Sequence, residues 1–570
     1  MSFRFALPLD LRRSVDQALA AWQSENKLAR FWQRDPSLWT QDGEEKWMGW
    51  IDIVERQQAD LPSFASLAAD IETGGFKDVL LLGMGGSSLC PEVLALTFGR
   101  QSDFPTLHIL DSTDPAQVRA VRDRLDLRQT LVIVSSKSGS TLEPNILKQY
   151  FFQQMQDAVG QDNAGSHFIA VTDPGSKMEQ VAKAGNFRYI FYGDPSIGGR
   201  YSALSNFGVV AAAAAGLHIG KLLDEAAKAV SSARLPLAQN PAAELGLILG
   251  SAHNAGRDKI TLFTSPEIHD LGAWLEQLIA ESTGKLGKGI TPVDREAIGS
   301  PAVYGHDRIF AYLRFAATAD PSQDAQVDAL ESAGHPVIRI EIADTYEIFG
   351  QFFDWEIATA IAGSIMGINP FNQPDVESAK IETRALTDAY EKSGKLPERT
   401  PFLTDASGIA LYASDSYASA LAAAAPAPTL AGILRAHLAQ LHPGDYFATL
   451  AFIHMTAEHE AAIQSFRHKV RDQKKVATCL GFGPRFLHST GQDYKGGPNT
   501  GVFLQITADH AVDVDIPDQK YSFGIVIDAQ AAGDLAVLEA RGRRALRVHL
   551  GPDVAAGLQT LAAAFDAALA

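Results

Sequence analysis

The chain has 570 residues, of which 46% are hydrophobic and 20% are charged, and its formal net charge is −18 at pH 7. This length exceeds one hydrophobic core and predicts two or three packed units, while the acidic balance argues against nucleic-acid and anionic-membrane partners. The two cysteines, Cys90 and Cys479, stand in no metal-binding spacing and suit a reducing cytoplasm, and we expect neither a signal peptide nor a bilayer-spanning run.

The first 75 residues are predicted to form a helical N-terminal cap. Large aromatic side chains recur in this segment, and aromatic stripes usually pack on a core. They are Trp22, Phe31, Trp32, Trp39, Trp47 and Trp50. We therefore expect the cap to dock on the main body of the protein.

Residues 76–225 are predicted to form a doubly wound α/β unit. Short apolar runs, each followed by polar turn residues and a helix-like stretch, begin at Asp78, Thr106, Thr130, His167 and Phe187. That alternation is typical of a parallel sheet covered by helices on both faces. Such sheets bind their ligands at the carboxyl ends of the strands.

A second α/β unit is expected over residues 226–385. Its predicted strands are followed by an apolar helix over 346–367, and they begin at Asp258, Arg308 and Pro336. After it, the Ala-rich composition predicts a helical insertion over 386–470, with a break at the Pro426-Ala-Pro428 stretch.

Strands are expected to return in the last segment, 471–570. The apolar runs that predict them start at Val476, Val502, Phe523 and Leu546. Leu, Glu, Gly and Arg recur at one constant offset between 330–342 and 538–550. The last segment is therefore either a partial repeat of 297–367 or a second ordinary helix–glycine–strand unit.

A glycine-rich turn from Gly83 to Ser88 lies between the first predicted strand and a helix. Glycines let the backbone approach a ligand, and the N–H groups of a helix N-terminus bind anions, so Gly86 and Ser87 are candidate contacts. The same turn suits a dinucleotide site with Asp111 as the acidic residue after the next strand, although Ser88 replaces the last glycine of that motif.

A hydroxyl-rich turn over residues 135–141 follows the third strand. It holds five hydroxyl groups and one ammonium group, which together suit a phosphate dianion. One or two hydroxyls would suffice for an ordinary helix cap, so the turn favours phosphate binding. The candidate residues are Ser136, Lys137, Ser138, Ser140 and Thr141.

Two further turns carry a cation and a carboxylate. Arg200 follows Gly198 and Gly199, and a fixed cation beside a carbonyl group would stabilise a developing enediolate. Glu281 ends a helix-like segment, one turn after Gln277, and a carboxylate is suited to moving a proton between adjacent carbons. The alternatives are a surface arginine in a loop and a solvated glutamate.

Two later motifs complete the set. Asn369-Pro-Phe-Asn-Gln373-Pro ends one helix and starts another, in which Lys380 lies about two turns from the start. The turn from Arg485 to Gln492 carries His488, and histidine is the side chain best suited to proton transfer near neutral pH.

Together these six stretches resemble the glucose-6-phosphate isomerase family. The variety most similar to this chain is the isomerase portion of bifunctional transaldolase/glucose-6-phosphate isomerases, whereas no stretch resembles a transaldolase barrel. The order of the motifs departs from the usual family, in which the histidine motif lies between the glutamate and lysine motifs. Here His488 follows Lys380, so the last segment would have to supply the histidine turn.

The resemblance implies two sugar-isomerase (SIS) domains, each a parallel sheet between helices. It also implies the reversible conversion of glucose 6-phosphate to fructose 6-phosphate, a step of glycolysis and gluconeogenesis, through ring opening and a cis-enediol. No metal and no cofactor are expected. In this reading Glu281 moves the proton between C1 and C2, Arg200 stabilises the enediolate, and His488 with Lys380 handles the ring-oxygen proton.

The substrate-binding residues implied by the resemblance surround these four. The phosphate would lie on the hydroxyl-rich turn, against Ser136, Lys137, Ser138, Ser140 and Thr141. Gly86 and Ser87 would line the sugar, and Gln277 and Gln373 would orient its hydroxyl groups.

Other readings differ in the residues they need. A non-catalytic SIS module that binds sugar phosphates needs no Glu281, Lys380 or His488, and a dinucleotide-dependent oxidoreductase has no use for the hydroxyl-rich turn. The family implies a homodimer. A transaldolase domain or chain, and activity on mannose 6-phosphate, are left open.

Overall fold

The computed structural model describes residues 2–570, and it describes the side chains of all of these except residues 376–379. Three mainly parallel sheets carry the fold. The predicted class, parallel sheets between helices, is confirmed, but there is one sheet more than the two expected. Across the described part, none of the helices has the length and apolar character that crossing a membrane requires.

The chain begins with a strand, so the expected helical cap is wrong at its start. The strand β1 (Ser2–Ala6) pairs antiparallel with residues 337–342, and its more buried residues alternate as they do in an edge strand. Four helices follow: α1 (Leu9–Ser24), α2 (Lys27–Trp32), α3 (Ile53–Ala59) and α4 (Leu61–Gly74). Among the predicted aromatic residues, Trp50 is buried and stacks on Tyr201 at 5.1 Å, beside a predicted site residue.

The first sheet is the predicted doubly wound unit. Its strands are β2 (Asp78–Leu82), β3 (Thr106–Leu110), β4 (Thr130–Ser135), β5 (Phe168–Thr172) and β6 (Tyr189–Tyr192). Its helices are α5 (Leu89–Phe98), α6 (Pro115–Arg124), α7 (Leu142–Val159) and α8 (Lys177–Ala184). The strands are all parallel in the order β3-β2-β4-β5-β6. The strand order reverses between the parallel neighbours β2 and β4, which brings the glycine-rich turn after β2 and the hydroxyl-rich turn after β4 together at the carboxyl edge.

The second sheet has the order β1-β10-β9-β7-β8 and is parallel except for β1. Its strands are β7 (Lys259–Thr264), β8 (Thr291–Val293), β9 (Arg308–Phe315) and β10 (Val337–Ile342). The helix α9 (Asn206–Ala214) precedes this sheet in the chain and packs against β5 and β6 of the first sheet. The helices around the second sheet are α10 (Ile219–Ala233), α11 (Pro241–Asn254), α12 (Leu271–Thr283), α13 (Pro321–Ser332) and α14 (Ile348–Met366). The helix α14 is buried along nearly its whole length because α10, α11 and α12 all pack against it.

The third sheet lies in the C-terminal part. Its strands are β11 (Leu403–Thr404), β12 (Ala410–Tyr412), β13 (Tyr446–Phe452), β14 (Ala477–Phe482), β15 (Gly501–Thr507) and β16 (Arg544–His549), in the order β11-β12-β16-β15-β13-β14. The helices of this part are α15 (Val376–Ser393), α16 (Asp415–Ala424), α17 (Leu430–Leu438), α18 (Ala457–Lys474), α19 (Gly491–Gly496), α20 (Phe523–Ala540) and α21 (Val554–Leu569).

Two predictions for this part are wrong. The expected helical insertion over 386–470 contains β11, β12 and the fully buried β13, which is held as a strand by pairing with β14 on one side and β15 on the other. The run that starts at Phe523 is the first turn of α20, and Ser522 caps it by accepting a hydrogen bond from the Ile525 N–H group. A short, wholly buried apolar run fits either conformation, so periodicity alone could not separate them.

The second and third sheets share one topology. In the third sheet, β12-β16-β15-β13-β14 repeats the order β1-β10-β9-β7-β8, with the antiparallel strand at the same edge. The edge strands β8 and β14 hold equivalent places and contact each other, with Cys479 Sγ 3.5 Å from the Pro292 carbonyl oxygen. This likeness extends beyond the suggested repeat of 297–367, while duplication of the chain stays a prediction.

Candidate active site

A cavity of about 310 Å³ lies at the carboxyl edge of the first sheet. All three sheet units contribute to its wall: the turns after β2 and β4, the C-terminal half of α12, and the turn after β14. Most of the predicted site residues line it, namely Gly86, Ser87, Ser136, Lys137, Ser138, Thr141, Gln277, Glu281, Gln373, Lys380 and His488. Residues more than 400 positions apart in the chain, such as Gly86 and His488, therefore share one cavity.

The hydroxyl-rich turn presents donors that are not used inside the protein. Among the described residues, the buried hydroxyl groups of Ser135 and Ser136 have no hydrogen-bond partner. A buried polar group without a partner is costly, so these hydroxyls are poised to bind a ligand. Lys137 is less free than expected, because its ammonium group pairs with the Asp173 carboxylate, whose pKa is raised by burial.

Ser140 is the one predicted phosphate contact that lies off this cavity. Its hydroxyl is 2.8 Å from that of Ser138, and it faces an adjoining chamber of about 630 Å³. Ser138, Thr141, Lys380 and His488 line both spaces. These residues therefore form the wall between the cavity and the chamber.

The glycine-rich turn lies directly against the turn that carries Arg200. A Cβ atom on Gly86 would come within 1.9 Å of the Gly199 carbonyl oxygen, so only glycine permits this approach. Asp111, the acid that a dinucleotide site would use, instead contacts Arg485 Nε at 2.9 Å and accepts a hydrogen bond from Ser88. The glycine-rich turn thus packs against the turn that carries Arg200, and the Asp111 carboxylate is already bonded within the protein.

Arg200 is buried, and all three nitrogen atoms of its guanidinium group donate hydrogen bonds. Its Nε donates to the Ser282 hydroxyl at 2.8 Å, Nη1 donates to Gln373 Oε1 at 3.0 Å, and Nη2 donates to the Pro370 and Asn372 carbonyl oxygens. The same Nη1 lies 3.3 Å from Glu281 Oε1. Such a fixed cation needs no reorganisation when negative charge develops beside it.

Glu281 stands in the last turn of α12 and is 8% exposed. Its second oxygen accepts a hydrogen bond from Gln277 Nε2 at 3.0 Å, and the same amide nitrogen donates to the His488 carbonyl oxygen at 2.8 Å. Gln277 Oε1 is buried and has no partner among the described residues. Gln277 therefore links the carboxylate to the histidine turn and keeps one acceptor for a ligand hydroxyl.

His488 reaches the cavity from the third unit, in the turn between β14 and α19. Its Nε2 lies 2.9 Å from Glu143 Oε1, a buried carboxylate in the second residue of α7. The same oxygen accepts a hydrogen bond from Gln530 Nε2 at 2.7 Å. The unusual motif order is thus compatible with one site, because the third unit carries this turn to the first sheet.

The remaining predicted lysine approaches from the other side. Lys380 lies in α15 and lines the cavity close enough to Glu143 to help lower the pKa of that carboxyl, although His488 has the larger effect and burial opposes both. Within the described side chains, no three or more His, Cys, Asp or Glu residues are grouped as metal ligands.

Sequence analysis overlooked three residues. Glu143 and Ser135 stand in the hydroxyl-rich motif itself, where a glutamate after a phosphate turn was the available signal. Lys285 ends the Glu-Ser-Thr-Gly-Lys motif and donates to the Asn369 carbonyl oxygen at 2.8 Å and to Asn372 Oδ1 at 3.0 Å. Burial lowers the pKa of Lys285, and its bonds hold the loop against which Arg200 lies.

Part of the chain is similar to known proteins. Residues 64–305, which include Arg200, Glu281 and the hydroxyl-rich turn, match the family described as phosphoglucose isomerase. A glucose-6-phosphate isomerase from Rubrobacter xylanophilus is 28% identical over 379 residues, covering 58% of this chain and 87% of that protein. One from Parabacteroides distasonis is 26% identical over 406 residues, covering 61% and 89%.

Solved structures show the fold. A hypothetical protein from Thermus thermophilus matches with a TM-score of 0.59 and 24% identity, over 67% of this chain and 99% of that one. A glucose-6-phosphate isomerase from Chlamydia trachomatis matches with a TM-score of 0.50 and 22% identity, over 60% and 75%. The similarity to phosphoglucose isomerases is carried by residues 64–305, which hold the whole first sheet and the strands β7 and β8 of the second.

Proposed function

We propose that this protein is a glucose-6-phosphate isomerase that interconverts glucose 6-phosphate and fructose 6-phosphate. One observation carries the proposal: the Glu281 carboxylate, fixed by Arg200 and Gln277, shares a cavity with His488 and with buried hydroxyls that have no partner among the described residues. This combination offers a base, a second proton-transfer group and a phosphate site in one space.

Binding is expected to begin at the hydroxyl-rich turn. Ser136, Ser138 and Thr141 donate hydrogen bonds to the phosphate oxygens, together with N–H groups at the start of α7. Lys137 adds positive charge, which Asp173 partly offsets. Gly86 and Ser87 line the sugar, and Gln277 and Gln373 orient its hydroxyl groups.

Ring opening needs a proton at the ring oxygen and removal of the proton from the C1 hydroxyl. His488, with Lys380 nearby, supplies and accepts these protons, so that the C1–O5 bond breaks and an aldehyde forms. Glu281 then removes the proton from C2 and returns it to C1, while the hydroxyl proton on O2 passes to O1 and C2 becomes the carbonyl carbon. Arg200 stabilises the negative oxygen of the enediolate intermediate. The redox state of the carbon chain as a whole does not change.

The decisive experiment is a coupled assay of the purified chain with fructose 6-phosphate in the presence of EDTA. We expect turnover, and we expect Glu281→Gln to lower kcat by about a thousand-fold or more while fructose 6-phosphate still raises the melting temperature. Glu276→Gln is the matched control, because Glu276 lies on the same helix but lines a different cavity.

Two results would contradict the proposal. Substantial isomerase activity in Glu281→Gln would remove Glu281 as the base. Binding of the sugar phosphate by a wild-type chain without turnover would favour the non-catalytic binding module instead. A cytoplasmic location, a homodimer and a transaldolase domain or chain stay predictions from the resemblance.

A further inference from the structure

The Glu143–His488 pair continues into a buried chain of hydrogen bonds that the proposed chemistry does not yet use. Gln530, on α20 of the third unit, donates through Nε2 to Glu143 Oε1 at 2.7 Å. Its Oε1 accepts a hydrogen bond from the Thr113 hydroxyl at 2.6 Å. Thr113 follows β3 in the first unit, and both Thr113 and Gln530 are buried, at 0% and 2% exposure.

The polarity of this chain follows from what each group can donate. An ionised carboxylate only accepts hydrogen bonds, so the amide nitrogen of Gln530 has to face Glu143 and its oxygen has to face Thr113. The Thr113 hydroxyl supplies the proton for that oxygen. Reversing the Gln530 amide would place its oxygen against Glu143 Oε1 and leave two buried acceptors facing each other.

The same argument extends to the histidine. Glu143 Oε1 already receives one donor from Gln530, and the remaining contact with His488 Nε2 at 2.9 Å has to come from an N–H group. His488 then carries a proton on Nε2, which leaves Nδ1 as the nitrogen available for proton transfer. A residue that fixes the orientation of a carboxylate can in this way fix the tautomer of a histidine.

We propose that Gln530 and Thr113 are positioning residues that orient Glu143 and thereby hold His488 in its Nε2–H tautomer, with Nδ1 as the proton-transfer atom. The inference rests on the proposed isomerase function for its kinetic consequence, but the tautomer can be tested without it. Neither residue lies in the hydroxyl-rich, glycine-rich or arginine turns.

Among the described residues, no other charged group that faces the Glu143–His488 pair can replace the hydrogen bonds from Thr113 and Gln530. Lys380 on α15 lies on the cavity side, and Glu281 on α12 reaches the histidine turn only through Gln277. Arg485, on the turn of His488 itself, is already bonded to Glu92 and Asp111. The carboxylate that contacts the imidazole ring is therefore Glu143, and the amide that contacts this carboxylate is Gln530.

The test combines kinetics with nitrogen NMR of histidine in the full chain, using His488→Asn to assign the signal. We expect the Nε2–H tautomer in the wild type. Thr113→Val and Gln530→Leu should lower kcat roughly ten-fold with little change in KM and should introduce the other tautomer. Thr113→Val removes the donor that fixes the Gln530 amide, and Gln530→Leu removes the hydrogen bond to the Glu143 carboxylate. Thr113→Ser keeps the hydroxyl and should restore both readouts.

Gln505→Leu is the control for the loss of a buried amide. Gln505 lies in the third unit but bonds to Asp534 and to the Ala531 carbonyl oxygen, away from the cavity. It should lower the melting temperature and leave kcat and the His488 signal unchanged.

An Nδ1–H tautomer in the wild type would overturn the inference, as would a folded Thr113→Val variant with wild-type kcat and wild-type tautomer. A wild-type chain without isomerase turnover would refute the proposed function alone, since the tautomer of His488 and its response to Thr113→Val would still be measured.

Discussion

Arg200 Nη1 lies 3.3 Å from Glu281 Oε1, with side-chain exposures of only 1% and 10%. Two opposite charges this close and this buried attract each other more strongly than a surface pair would. The hydrogen bonds from the guanidinium to Ser282, Gln373 and the two loop carbonyl groups fix it in place. The arrangement holds Glu281 at the wall of the cavity with the buried Arg200 guanidinium group directly beside it.

Replacing Arg200 tests whether this geometry, and not charge alone, is needed. Arg200→Lys keeps the charge but loses the planar fork that makes four hydrogen bonds, so we expect kcat to fall about a hundred-fold or more. Steady-state kinetics with fructose 6-phosphate measures the effect. Arg314→Lys, at a surface pair with Asp324, is the control and should leave kcat unchanged. Wild-type kcat in Arg200→Lys would contradict a role in stabilising the enediolate.

Ser136 offers a test of the phosphate site that does not disturb the fold. Its buried hydroxyl has no partner among the described residues, so Ser136→Ala removes no internal hydrogen bond. We expect KM for the hexose phosphate to rise about ten-fold while the melting temperature is unchanged or higher.

Ser414→Ala should behave in the opposite way. Ser414 caps α16 by accepting from the Tyr417 N–H group, so its loss should lower stability by about 1 kcal/mol and leave KM unchanged. An unchanged KM in Ser136→Ala would move the phosphate to another part of the cavity.

All groups of the candidate site come from one chain, which predicts the outcome of a mixing experiment. Glu281→Gln and His488→Ala should each be nearly inactive, and mixing the two should restore no activity, because each chain lacks a group of its own cavity. The wild type should also keep constant specific activity on dilution. Recovery of activity in the mixture would mean that His488 acts in a neighbouring chain.

Asp493, in the first turn of α19, predicts a pH dependence of stability. Burial raises the pKa of Asp493 to about 7 from its ordinary value of 3.8, although the Thr291 hydroxyl donates to it at 2.8 Å. The folded state therefore holds more protons than the unfolded state between about pH 4 and pH 7. The free energy of unfolding falls as the pH rises through this window, by up to about 4 kcal/mol from this group.

Asp493→Asn should remove that part of the pH dependence, since the amide stays neutral throughout. Melting temperatures at pH 5 and pH 8 measure it, and the gap between variant and wild type should favour the variant more at pH 8 than at pH 5. The exposed Asp162→Asn is the control. An equal gap at both pH values would show that Asp493 is ionised in the fold at pH 5 as well.

The sequence was sufficient to predict much of the first unit and most of the predicted side chains that line the cavity, whereas their roles in catalysis and binding stay predictions. Short apolar runs ended by polar turns specify parallel strands locally, and the chemistry of Ser136, Arg200, Glu281 and His488 is visible in their immediate neighbours. These signals depend on a few adjacent residues, so they can be recognised in a single sequence.

The tertiary structure alone decided the elements that depend on distant partners. β1 is a strand because it pairs with the edge of β10, and β13 is a strand because it pairs with β14 and β15. The run at Phe523 is helical, and its short apolar composition does not distinguish a buried helix from a buried strand. The same holds for the site: Glu143, Gln530 and Thr113 meet across the first and third units, and Asp111 is occupied by Arg485. The sequence alone supplied the candidate groups for proton transfer and phosphate binding. Only the packing of the three units decided which of them meet, because hydrogen bonds and ion pairs over a few ångströms join residues hundreds of positions apart.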